Sequence, residues 1–250
     1  MKNIRRFPVA FVASVMGMSL LLSVPVDAKP PVSPDATNPD VSAPNAAAHE
    51  MLGSYVGAFG SNKITVCLEK VVGQSVSGYS VVAGNERAFS GSLTEKDGAF
   101  EILAKEPGDD PEDGIFVFHY QPGPSSHLTG TWTPNNAKKL AKKEFDLGRR
   151  EYRYDAKIGL YPQSSTRLLK AKDVENIRPE DLRIMRNEIY ARHGYSFRLR
   201  DMRSYFDSQD WYMPISTDVT SKLTTLEQKN QELIKRYEKY GADHYDSFGR

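Results

Sequence analysis

The densest run of reactive side chains lies at residues 187–194, which read Asn-Glu-Ile-Tyr-Ala-Arg-His-Gly. Glu188 and Arg192 are four residues apart, so on a helix they pair along one face. Glu188 and His193 are five apart, which places them on different faces and prevents both from ligating one metal ion. The sequence places no nucleophile or second carboxylate to serve His193. The run therefore predicts a packed polar network or a binding site, and it argues against a catalytic or metal centre.

Two interpretations of this run stay open. In the first, Asn187, Glu188, Arg192 and His193 tie their helix to its neighbours, with Asn230 as one partner, because a buried amide needs hydrogen bonds. We favour this interpretation, since buried polar groups are usually satisfied inside the fold. In the second, the helix lines a ligand-binding groove, since arginine and aromatic side chains are enriched in recognition sites. The candidate binding residues are then Arg186, Asn187, Glu188, Tyr190, Arg192, His193 and Trp211.

Other parts of the chain carry weaker chemical signals. The sequence contains no Gly-x-Ser-x-Gly elbow, Walker-type phosphate loop, His-Glu-x-x-His motif or Cys/His metal set. The acidic loop at 109–114 lacks the spacing of an EF-hand calcium loop, so a solvated hairpin is expected there. The basic run at 138–143 is expected to be a solvated turn or a one-turn helix, with attraction to anionic envelope polymers as the alternative. We predict no catalytic residue, no metal and no cofactor.

Helical signals dominate the C-terminal part of the chain. Pro179 suits the first turn of a helix, and Gly194 suits its end, because glycine adopts the left-handed conformation that stops a helix. A second helix is expected at 199–206. Thr224 and Glu227 have the spacing of a capping box that opens a third. These helices predict a small all-α domain.

Short segments separated by turns precede the helices. In residues 64–68, Ile-Thr-Val-Cys-Leu, alternate side chains are large and apolar, which is the period of a half-buried strand. Turn sequences recur with no helix between them, which indicates an antiparallel meander, and eight strands close most economically into a barrel without exposed edges. The expected strands are 54–59, 63–71, 76–82, 88–93, 99–104, 115–120, 128–133 and 143–147, with 149–154 as a candidate last strand.

Glycine precedes a bulky residue in several of these segments, as in Leu-Thr-Gly-Thr-Trp at 128–132. Glycine suits positions where a strand bends sharply or packs closely at a barrel corner. The pattern resembles the up-and-down barrels of the lipocalin and avidin type, some of which are filled by their own side chains and bind nothing. Aromatic residues such as Phe116 and Trp132 are expected to form the barrel core rather than to line a ligand cup.

The first residues have the features of a secretory signal. Three basic residues precede an uncharged, mostly apolar stretch, and Val-Asp-Ala at 26–28 offers a small-x-small cleavage site. The proline-rich sequence that follows cannot bury enough apolar area to order itself. We therefore expect an exported protein, periplasmic or extracellular, with no transmembrane segment after cleavage.

Composition adds two constraints. The 33 Lys and Arg residues balance the 32 Asp and Glu residues, so the chain as a whole is not attracted to nucleic acid. Cys67 is the only cysteine, which excludes an internal disulfide, and a buried inert thiol is expected at this strand position.

Residues 186–195, together with Phe197, Phe206, Trp211 and the Glu227-x-x-Asn230 pair, resemble the YARHG domain, which is named after the run at 190–194. The resemblance implies an extracytoplasmic location and association with other modules. It implies no reaction, because the molecular function of the family is not established. We expect a non-catalytic cell-envelope protein that binds a cell-wall polymer or an envelope protein. A lipocalin-like carrier of small molecules is the alternative, and a hydrolase is the least favoured.

The predicted fold class is therefore α+β, with a small antiparallel β-barrel followed by a three-helix domain in which Gly241 closes the last helix. The predicted segments are a signal peptide at 1–28, a spacer at 29–50, the barrel-like domain at 51–155, a linker at 156–171, the helical YARHG domain at 172–241 and a tail at 242–250.

Overall fold

The computed structural model describes residues 46–124 and 127–244. The predicted signal peptide and most of the predicted spacer lie outside the described residues. The end of that spacer forms a short helix, α1 (Ala46–Glu50), because Ala48 and the following Met51 are buried in the barrel core. Within the described ranges, no helix is long and apolar enough to cross a membrane.

Eight antiparallel strands form a closed barrel in which each strand pairs with the next and β1 pairs with β8. All eight expected strands are confirmed. The candidate strand at 149–154 is wrong, because the ladder ends at Arg149 and the next residues contact the helices instead. The strands are β1 (Gly53–Phe59), β2 (Asn62–Val72), β3 (Ser75–Val82), β4 (Asn85–Lys96), β5 (Ala99–Lys105), β6 (Gly114–Tyr120), β7 (His127–Pro134) and β8 (Lys143–Arg149).

Large side chains fill the barrel interior. The rings of Phe116 and Phe118 stack with their centroids 4.9 Å apart, and Phe59 and Phe145 contact Phe116 from other strands. Among the described residues these interior rings are buried and pack on one another, as predicted for a core. This packed interior counts against the alternative of a lipocalin-like carrier.

Two positions in the strands, Gly130 and Cys67, test expectations from the sequence. At Gly130 the backbone has a φ of +154°, and a Cβ would lie 2.0 Å from the carbonyl oxygen of Val117. This confirms that glycine permits close packing in the strand.

Cys67 lies between Val66 and Leu68, which are buried. It is half-buried on the opposite, outer face of the strand, so the expectation of a buried thiol is wrong.

In the described part of the chain after the barrel there are four α-helices, namely α2 (Gln163–Thr166), α3 (Pro179–Arg192), α4 (Arg200–Asp207) and α5 (Thr225–His244). The α+β fold class is confirmed. α2 lies within the segment predicted to be a linker. The predicted capping box opens α5, since the Glu227 amide donates to Thr224 Oγ1 (3.2 Å) and the Thr224 amide donates to Glu227 Oε2 (2.9 Å). Gly241 does not end α5, which continues to His244. Its lack of a side chain instead lets α5 approach Pro179, whose Cγ would lie 2.7 Å from an added Cβ.

Basic side chains of the barrel and of the segment after it bind the loop that follows α4. Lys63 Nζ donates to the carbonyl oxygens of Gln209 (2.6 Å) and Tyr212 (3.3 Å), just after α4. Arg150 donates to the carbonyl oxygens of Asp210 (2.7 Å) and Trp211 (2.6 Å) in the same loop. Each of these hydrogen bonds has a charged donor, which makes it stronger than one between neutral groups. The barrel therefore holds the helical part through specific polar contacts.

Replacing Gly194 with valine is expected to destabilise the helical part by at least about 2 kcal/mol. Gly194 has a φ of +77°, and an added Cβ would lie 2.3 Å from Ile215 Cγ1. The measurement is thermal unfolding followed by circular dichroism. Gly148→Val is the matched control, because an added Cβ at that position in β8 meets nothing within 4 Å. An unchanged melting temperature for Gly194→Val would contradict the account.

Candidate functional site

The polar run at 187–194 lies at the C-terminal end of α3 and faces the interior. The side chain of Glu188 is 1 % exposed and that of Arg192 is 0 % exposed. His193 is also buried. α3 is enclosed because α5 packs along one side and residues 158–169, which we call the clamped loop, cover another.

Glu188 holds the start of the clamped loop. Its carboxylate accepts the backbone amides of Leu160 (2.7 Å) and Tyr161 (2.8 Å), one on each oxygen. It also accepts a hydrogen bond from Arg192 Nη2 at 2.6 Å, so the expected pair exists, but in the interior rather than on the helix surface. Burial raises the pKa of Glu188, and the two amides and Arg192 offset only part of that rise.

Arg192 joins the same loop at three other points. Its Nε donates to the carbonyl oxygen of Ile158 at 2.8 Å. Its Nη1 donates to the hydroxyl oxygens of Ser164 and Ser165, each at 2.9 Å. A guanidinium with several donors in a rigid plane is suited to such multiple capture.

Glu227, from the first turn of α5, is the second buried carboxylate. Its Oε1 accepts the hydroxyls of Ser165 (2.7 Å) and Tyr154 (3.0 Å), and its Oε2 lies 2.9 Å from His193 Nε2. Burial raises the pKa of Glu227, but hydrogen bonds from His193, the Thr224 amide and Ser165 outweigh burial and lower it to about 2. Ser165 thus links Arg192 to Glu227 and completes the buried polar network of Glu188, Arg192, His193 and Glu227.

The order of groups in this network does not suit nucleophilic catalysis. An activated serine donates its proton to a base such as histidine, which a carboxylate then orients. Here the Ser165 hydroxyl donates to Oε1 of the Glu227 carboxylate, and His193 Nε2 contacts the other oxygen, Oε2. The His193 ring also stacks on Tyr154 with centroids 4.5 Å apart. The arrangement fixes backbone and ring positions without activating a hydroxyl.

The predicted partner for Asn230 is wrong. Its side chain accepts the Leu169 amide at 2.8 Å and donates to the carbonyl oxygens of Ser164 (2.9 Å) and Arg167 (2.7 Å). It therefore holds the clamped loop instead of the polar run. Asn187 donates to the carbonyl oxygen of Arg183 at 2.8 Å, so this hydrogen bond stays within α3 and does not join it to another element.

The remaining candidate binding residues lie apart from the network. Arg186 pairs with Glu238 of α5 at 2.7 Å, and Tyr190 accepts a hydrogen bond from Gln231. Trp211 packs near Phe206 and shares the lining of a small cavity of about 70 Å³ with Arg192. The structure brings Glu188, Arg192 and His193 together and leaves Arg186, Asn187, Tyr190 and Trp211 outside. Ligand binding by these residues stays a prediction.

Sequence reasoning missed the residues that complete the site. Three such residues form hydrogen bonds with the network, namely Tyr154, Ser164 and Ser165. They belong to the segments predicted to be a last strand and a linker. Adjacent serines and tyrosines in a presumed linker are the signal that was available, because such side chains combine a polar tip with surface that can be buried.

Most of the charged side chains in the two runs of the barrel are exposed, as expected, including Asp109, Asp110, Lys138 and Lys139. Asp113 of the acidic loop departs from the expectation, because it is buried and pairs with Arg87 Nε at 2.9 Å. Across the described ranges, no group of three or more His, Cys, Asp and Glu side chains is placed to hold a metal ion.

Among known protein families, the YARHG domain matches residues 158–239. This chain contains a YARHG domain. The matched region begins at Ile158, whose carbonyl oxygen accepts Arg192 Nε, so the clamped loop belongs to the YARHG domain although it was expected to be a linker. No curated protein and no solved structure matches the chain.

Replacing Glu227 with glutamine is expected to remove stability in a pH-dependent way. The pKa of Glu227 in the folded protein, about 2, lies below its ordinary value of 4.5. Its stabilising effect is therefore complete above about pH 5 and is lost as the pH falls toward 2. We expect the difference in unfolding free energy between wild type and Glu227→Gln to be on the order of 3 kcal/mol at neutral pH and to shrink at acidic pH.

Chemical denaturation between pH 2 and pH 7 measures this difference. Glu188→Gln serves as the comparison, because the raised pKa of Glu188 makes its titration act in the opposite direction. A difference between wild type and Glu227→Gln that does not change with pH would contradict the assignment.

Proposed function

We propose that this protein is a non-catalytic module that binds a partner protein, and that the clamped loop of its YARHG domain forms the contact surface. The observation that carries the proposal is the pair of solvent-exposed leucines on this rigid loop. Leu160 is 64 % exposed and Leu168 is 53 % exposed.

The backbone is held directly at both leucines. The amide of Leu160 donates to Glu188 Oε1. Leu168 lies between the Arg167 carbonyl and the Leu169 amide, and Asn230 binds both of these groups. Fixing the backbone of one residue costs about 1–2 kcal/mol. Because folding has already fixed the backbone of this loop, a partner can bind the leucines without a further cost of ordering that backbone.

The chemistry of these side chains favours a protein partner over a cell-wall polymer. A single exposed leucine is ordinary on a protein surface. Two leucines displayed by a loop whose backbone is anchored from the interior present fixed apolar area, which is what the buried centre of a protein interface requires. Leucine has no hydrogen-bonding group with which to recognise the hydroxyls of a sugar polymer.

The ionisable residues of the YARHG motif support a non-catalytic role. Glu188, Arg192 and His193 are buried, and no fully buried nitrogen or oxygen of these side chains lacks a hydrogen-bond partner within the described part of the chain. Their role in the proposal is to hold the loop. The signal-like sequence at 1–28 and the family's association with exported proteins support a partner in the cell envelope.

Replacing both leucines with serine, Leu160→Ser and Leu168→Ser, is expected to weaken capture of the partner by at least about tenfold, or 1.4 kcal/mol, because the apolar contact area is lost. The melting temperature should change little, since neither side chain is buried. The measurement is crosslinking of the full chain to envelope proteins, followed by identification and titration of the captured protein.

Leu103→Ser is the matched control, because Leu103 is 52 % exposed on the outer face of the barrel. It should retain capture. Purified cell wall is the second bait. Equal retention of the wild type and the leucine variant on cell wall, with no captured protein, would favour a polymer ligand and overturn the proposal.

A further inference from the structure

Positive charge is concentrated around the clamped loop. Residues 156–172 contain four basic residues, Lys157, Arg167, Lys170 and Lys172, and no Asp or Glu. The two nearest acids in sequence, Asp155 and Asp173, flank this segment and are engaged in local contacts. Asp155 Oδ1 accepts the Lys157 amide at 2.8 Å.

Asp173 neutralises only one of the four cations. Its carboxylate accepts hydrogen bonds from both terminal nitrogens of Arg167, at 2.8 and 3.0 Å, and from the Lys170 amide at 2.7 Å. The Arg167 guanidinium, the Lys170 amide and the nearby Lys172 charge outweigh what burial there is and hold the pKa of Asp173 well below its usual range. The side chains of Lys157, Lys170 and Lys172 are exposed, and in the part of the chain that the structure describes none lies within 4.0 Å of a carboxylate.

We propose, on the basis of the proposed function, that the partner presents an acidic amphipathic surface: an apolar strip that covers Leu160 and Leu168, bordered by carboxylates that face Lys157, Lys170 and Lys172. Complementary charge around an apolar centre speeds association and fixes orientation, while the apolar contact supplies affinity. Among the described residues, Arg167 is the one cation of this segment in a direct ion pair, so the charges of Lys157, Lys170 and Lys172 remain available to such a partner.

The test uses three synthetic probes and the full chain. The first is a helical peptide of about 18 residues with Leu on one face and Glu on the other. The second carries Lys in place of Glu, and the third is polyglutamate, which has the charge but no apolar face. Fluorescence anisotropy gives the affinity of each probe at about 50 mM and about 300 mM NaCl, since salt screens exposed charges.

We expect the Leu/Glu peptide to bind, the Leu/Lys peptide not to bind, and polyglutamate to bind at least about tenfold more weakly than the first. The triple variant Lys157→Glu, Lys170→Glu, Lys172→Glu should lose at least about tenfold in affinity and most of the salt dependence. The matched control is Lys229→Glu, Lys235→Glu, Lys239→Glu, which changes the net charge equally on the exposed face of α5 and should keep the affinity.

Two results would overturn the inference. One is equal loss of affinity in both triple variants, which would make the attraction a matter of net charge alone. The other is tighter binding of polyglutamate than of the Leu/Glu peptide, which would indicate an anionic polymer. Failure of the inference is separable from failure of the proposed function: if Leu160→Ser and Leu168→Ser abolish protein capture while the lysine reversal has no effect, the protein-binding role stands and the acidic partner does not.

Discussion

The buried pair of Glu188 and Arg192 is the interaction on which the YARHG domain depends. Two charges in a protein interior are tolerated only when each finds enough hydrogen bonds, and removing one partner of such a pair typically costs about 3–5 kcal/mol. Here the missing hydrogen bonds come from the backbone of the clamped loop, at Ile158, Leu160 and Tyr161. The hydrogen bonds that satisfy the two charges are therefore the same ones that order the loop. This explains how a surface segment without long regular structure is fixed in place.

The same logic of unsatisfied groups connects the barrel to the helices. The end of α3 leaves carbonyl oxygens that need donors, and Tyr152 donates to that of Arg192 at 2.6 Å. Lys63 and Arg150 donate to carbonyl oxygens of the loop after α4. The barrel interior is filled, so its contribution is to position donors and to provide a rigid base. In the proposed function, the surface offered to a partner is the clamped loop with its two exposed leucines.

Local patterns in the sequence predict the elements of this fold well. Alternation and turn residues locate all eight strands, and the spacing of Thr224 and Glu227 locates the start of α5. Contacts between residues distant in sequence cannot be obtained in this way. Gly241 has the form of a helix stop, but its approach to Pro179 decides its role, and Asn230 binds a loop that no periodic signal marks. The polar run was correctly located, whereas its partners were not, because they are mostly backbone groups that carry no sequence signature.

Amide hydrogen exchange at Leu160 and Tyr161 tests most directly whether the buried carboxylate holds the loop. In wild type, we predict exchange of these amides at least about tenfold slower than in an unstructured peptide, although the Leu160 side chain is exposed. In Glu188→Gln, whose side chain offers one acceptor oxygen instead of two, their exchange should accelerate while that of the Leu169 amide, which Asn230 holds, changes less. Wild-type exchange of Leu160 and Tyr161 at the rate of an unstructured peptide would contradict the account.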